Sequence, residues 1–64
     1  MTETERQLEQ IIDASNLSNV LEMIAGICYA KADHIQTNWQ DGPLALAWET
    51  AGDKVNGLAE RLEI

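Results

Sequence analysis

The chain has little of what small proteins use to staple themselves or to do chemistry. One cysteine, Cys28, stands among 64 residues, so no internal disulfide can form. That cysteine and a single histidine, His34, do not make a structural metal site. Chains this short bury only ~60% of their unfolded surface and usually need a disulfide, a metal, unusually good helix packing or a partner chain. With the first two missing, association with a second copy is the expected source of further buried area. No apolar run reaches the ~18 residues of a membrane span, the longest being Ile24–Ala30 and Leu44–Trp48. Gly26, Gly42, Gly52 and Gly57 are scattered and form no phosphate-binding loop.

Basic residues are also scarce. Four of them face eleven acids, for a net charge of −7. No basic patch is available to neutralise phosphates, and so dense a negative surface repels nucleic acid and anionic membranes. The class of partner it attracts is a basic protein. The first residues, Met-Thr-Glu-Thr-Glu-Arg, are the reverse of a secretion signal, and with a free thiol they lead us to expect a cytoplasmic protein.

What the chain does have is helical periodicity. At 100° per residue, Val20, Leu21, Met23, Ile24, Ala25, Ile27, Cys28, Ala32, Ile35 and Trp39 share one broad side of a single stretch. An apolar arc of more than half a circumference calls for two partners, one along the whole helix and another over Val20–Ile27. Upstream, Thr2 and Glu5 have capping-box spacing and Leu8, Ile11 and Ile12 follow at helical intervals. This short helix is marginal alone and is expected to dock on Val20, Met23 and Ile27. Ser15-Asn16-Leu17-Ser18-Asn19 breaks the pattern, with Ser18 or Asn19 the expected cap of the central helix.

Gln40-Asp41-Gly42-Pro43 ends that helix, and Asp41 or Gly42 then caps the next, with Pro43 in its first turn. So short a connection makes the two long helices antiparallel. On the last helix Leu44, Trp48, Ala51, Val55, Leu58 and Leu62 recur at alternating spacings of four and three, an a/d seam. Counting outward from the turn sets Trp39 opposite Leu44, Ile35 opposite Trp48, Ala32 opposite Ala51, Cys28 opposite Val55, Ala25 opposite Leu58 and Leu21 opposite Leu62. All six pairs are apolar, so the seam is expected to run unbroken past Gly52 and Gly57. The expected fold is all-α and one domain over 1–64, with helices near 3–14, 18–39 and 43–62. It is a short N-terminal helix plus a long antiparallel αα-hairpin, dimerising into a helical bundle.

Few residues are spaced for chemistry. Cys28 and His34 point about 120° apart on one helix, so they cannot share a metal or act as nucleophile and base. Glu60 and Glu63 have the spacing of a bundle metal ligand pair, but no second such pair faces them. Trp39 and Trp48, on apolar seams, read as core aromatics with Gln40 or Asp41 near their indole N–H groups. No catalytic, cofactor or metal residue is assigned.

The residues left for function are surface ones. Met23, Ile27 and Val20 form the surplus flank, and Leu46 lies away from the seam. Tyr29 points away from the core arc beside Gly26 and Asp33. Glu5, Glu9 and Asp13 stand at successive i, i+4 positions as one acidic stripe. The expected function is a non-enzymatic, acidic, self-associating protein-interaction module, acting as regulator, adaptor or inhibitor. In one version its charge occupies the nucleic-acid groove of a basic enzyme. The alternative is a metal- or small-ligand-binding enzyme whose site assembles across a dimer interface from Glu22, Asp33 or His34.

Overall fold

The computed structural model describes all 64 residues. It contains three helices and no strand: α1 Glu3–Ser15, α2 Leu17–Trp39 and α3 Gly42–Arg61. The all-α class follows from the sequence, and α2 and α3 pack as an antiparallel hairpin.

Local capping explains where each helix starts. Glu5 N–H donates to the Thr2 hydroxyl (3.1 Å) while the Thr2 N–H donates back to the Glu5 carboxylate (3.3 Å), the reciprocal box anticipated at α1. The joint between α1 and α2 is a single residue, Asn16, and it turns the helix direction by 113°. Its φ of 111° and ψ of 163° lie in a region that β-carbons disfavour. Two hydrogen bonds hold it there. Its N–H donates to the Ile12 carbonyl (2.8 Å), closing α1, and its side-chain oxygen accepts from Asn19 N–H (2.8 Å), opening α2. Asn16 therefore takes the capping role expected of Ser18 or Asn19.

Ser18 has another task. Its hydroxyl donates to the Leu62 carbonyl (2.8 Å) and its N–H donates to the carbonyl of Ile64. This ties the start of α2 to the end of α3, at the open end of the hairpin. At the closed end Gln40 adopts a left-handed conformation (φ 52°, ψ 31°), and Asp41 caps α3 by accepting from Leu44 N–H (3.0 Å).

The hairpin packs on a different α3 row from the one expected. The buried α3 residues are Ala45, Gly52 and Ala59, seven apart, with Trp48, Val55 and Leu62 half-buried beside them. Leu44 and Leu58, expected in the seam, are 46% and 47% exposed. Trp39, expected opposite Leu44, is 73% exposed. Gly52 approaches Cys28 and Tyr29 so closely that an added β-carbon would lie 3.2 Å from Cys28 Cβ and 2.9 Å from the Tyr29 ring. Cys28 thus meets Gly52 where Val55 was expected. Small-on-small contact lets the backbones close up, and α3 rolls to put its smallest row inward. α3 is nonetheless continuous through Gly52 and Gly57, as the seam periodicity required.

This packing leaves a thin core. Val20, Ala25, Cys28, Ala32, Ala45 and Ala59 are its apolar members, and no large side chain is fully enclosed. α1 has no buried residue and touches α2 alone, so its docking covers the expected flank only in part. The molecule measures 37 × 28 × 16 Å with a radius of gyration of 13.6 Å. A compact chain of this length has about 11 Å. The protein is one layer of helices, where a domain core is normally enclosed between two.

Candidate interaction surfaces

Two faces of the hairpin differ sharply in character. On one, Ile27, Ala30, Lys31, His34, Ile35 and Trp48 line a hollow of about 480 Å³ between α2 and α3. The Lys31 ammonium lies over the Trp48 ring, 5.3 Å from its centroid, so its aliphatic stem covers apolar surface. At 100° per residue, Ile24 extends this face along α2 while Leu44, Ala51 and Leu58 extend it along α3 beside Trp48 and Val55. The α3 stripe read from the sequence exists, but it belongs to this open face as much as to the hairpin contact. Ile24, Ile27 and Leu58 are 37%, 56% and 47% exposed. Every acidic residue of α2 and α3 falls outside this face by the same helical spacing.

The opposite face is acidic and centred on Tyr29. Its hydroxyl donates to an Asp53 carboxylate oxygen at 2.5 Å, and its ring covers Gly52. Tyr29, Asp33, Gln36, Leu46 and Glu49 line a second hollow on this side. Glu22, seven residues before Tyr29, shares its side of α2. The hydrogen bond to Asp53, then partial burial and the negative charges of Asp53 and Glu49, push the Tyr29 hydroxyl up to about 12. Tyr29 is exposed, as its position away from the core arc implies, and it also links the two long helices, because the missing side chain at Gly52 makes room for its ring.

The sequence-selected residues therefore divide. Met23 and Ile27 are exposed on α2, and Leu8 and Ile11 of α1 add to the accessible apolar surface. Val20, chosen with them, is 4% exposed and belongs to the core at the α1–α2 junction, so it offers no surface. Leu46, 61% exposed, lies on the acidic side with Tyr29. Glu5, Glu9 and Asp13 are exposed along α1, and Glu5 is engaged with Thr2. Asp53 and the Lys31–Trp48 pair were missed. The signal for Asp53 was present in its distance from the turn, which matches that of Tyr29 to within one residue.

His34 and Cys28 lie in different surroundings. His34 Nδ1 lies 3.0 Å from the Asn38 amide nitrogen on the surface, whereas Cys28 is a buried free thiol. No three His, Cys, Asp or Glu side chains are grouped to hold a metal ion. No single helix is long and apolar enough to cross a membrane. The chain matches no family model, no curated protein and no solved structure.

Proposed function

We propose that this chain works by binding rather than by catalysis, as a self-associating acidic helical module that presents its charged side to a basic protein partner. The observation that carries this reading is the division of the hairpin surface. An apolar face without carboxylates lies on one side, and Tyr29 with Asp33, Glu49 and Asp53 on the other. Exposed apolar area of this kind marks a protein contact. A separate acidic side leaves the module free to engage a second, basic surface by charge complementarity.

The test is molar mass by light scattering during gel filtration, at low and high salt. A particle near twice 7.1 kDa that persists in high salt supports self-association through apolar surface. A monomer at both salts sinks that half of the reading. For the other half, binding of a basic partner should weaken steeply with salt and with Asp33→Asn or Glu49→Gln. Binding indifferent to both would remove the acidic side from the account.

A further inference from the structure

We infer that the occupant of the apolar α2–α3 face is a second copy of this chain, laid face to face about a two-fold axis. This rests on the self-association proposed above and adds where it occurs.

Area is the first reason. The chain exposes 4886 Å² of solvent-accessible surface. A compact monomer of 7.1 kDa exposes about 4,100 Å². The excess, about 800 Å², is close to the ~800 Å² each partner contributes to a standard stable interface. One partner of ordinary size is what the molecule lacks.

Charge is the second reason. Two chains of net charge −7 repel, so a self-interface must keep their acids apart. Within the hairpin, the face with Ile24, Ile27, Trp48 and Leu58 meets this condition, since the carboxylates of α2 and α3 lie off it. The Tyr29 side fails it, because pairing two copies there would bring Asp33, Glu49 and Asp53 against their own counterparts. A basic partner on the apolar face would find no acid there to pair with.

Layering is the third. A slab 16 Å thick encloses only a thin core of small side chains, whereas two stacked by a two-fold axis enclose their facing side chains as a helical bundle does. The same patch serves both copies, as an isologous contact requires.

The experiment is sedimentation equilibrium of the full chain and three variants, with helicity followed by circular dichroism. Ile27→Glu sets a carboxylate into the contact twice per dimer and is expected to weaken it by at least about a hundredfold with helicity retained. Ile27→Ala, which adds no charge, is expected to weaken it about tenfold. Leu46→Glu, on the acidic side, is expected to leave it unchanged. A dimer indifferent to both Ile27 variants, or one broken by Leu46→Glu, overturns this assignment while the self-association reading stands. A parent chain that stays monomeric into the high micromolar range overturns both.

Discussion

At the scale of single residues, Gly52 carries the most information. Replacing a mid-helix glycine by alanine normally gains ~1 kcal/mol. At Gly52 the new β-carbon meets the Tyr29 ring at 2.9 Å and Cys28 Cβ at 3.2 Å, so α2 and α3 must separate or the Tyr29–Asp53 bond must break. We expect Gly52→Ala to destabilise by about 1–2 kcal/mol in chemical denaturation. Gly57→Ala, with nothing within 4 Å of its β-carbon, should stabilise by roughly 0.5–1 kcal/mol. Equal effects at the two sites would mean Gly52 is not the point of closest approach. Tyr29 gives a second residue-level outcome. Its tyrosinate absorbance should rise with a midpoint near 12, and Asp53→Ala should return that midpoint toward 10.0. Because the folded hydroxyl sits above its ordinary value, its stabilising contribution is complete below pH 10 and is lost as pH climbs through about 12.

At the scale of the element, α1 depends on its ends. None of its 13 residues is buried and its docking on α2 is partial, so the Thr2–Glu5 box and the Asn16 joint carry much of its helicity. Asn16→Gly removes the side-chain cap but relieves the φ of 111°, and should change stability by only a few tenths of a kcal/mol. Asn16→Ala loses the cap and keeps the strain, and should cost about 2 kcal/mol. Its signature would be faster amide exchange in α1 and the first turn of α2, with the hairpin amides unaffected. Should alanine and glycine behave alike at position 16, the joint is not strained.

At the scale of the whole molecule, the shortage of core governs behaviour. A single layer whose buried residues are chiefly alanines gains little from its own folding. If a second copy supplies the rest, unfolding is linked to dissociation, and the thermal midpoint should climb as protein concentration rises. A midpoint constant over a hundredfold range of concentration would mean the hairpin stands by itself. High salt should raise the midpoint or leave it unchanged, since it screens repulsion among eleven acids and leaves the apolar contact intact.

The number of helices, their ends to within about two residues and the antiparallel hairpin are legible in the order of residues alone. Those depend on local matters: a capping box at Thr2 and Glu5, a proline and an aspartate at the turn, and apolar residues at helical spacing. The sequence also marked Met23, Ile27 and Leu46 as surface, though not that Leu46 lies on the opposite face from Ile27. Which α3 row turns inward is set by the packing of α3 against α2. Large and small rows have the same period, so spacing cannot separate Leu44–Ala51–Leu58 from Ala45–Gly52–Ala59. The choice comes from how closely two backbones can approach, which is a property of the pair and not of either helix. That same choice put Tyr29 on Asp53, buried Val20 at the junction and left the leucine stripe beside Ile24 and Ile27 on an open face. A one-residue roll of α3 thus turned an expected core seam into the candidate interface.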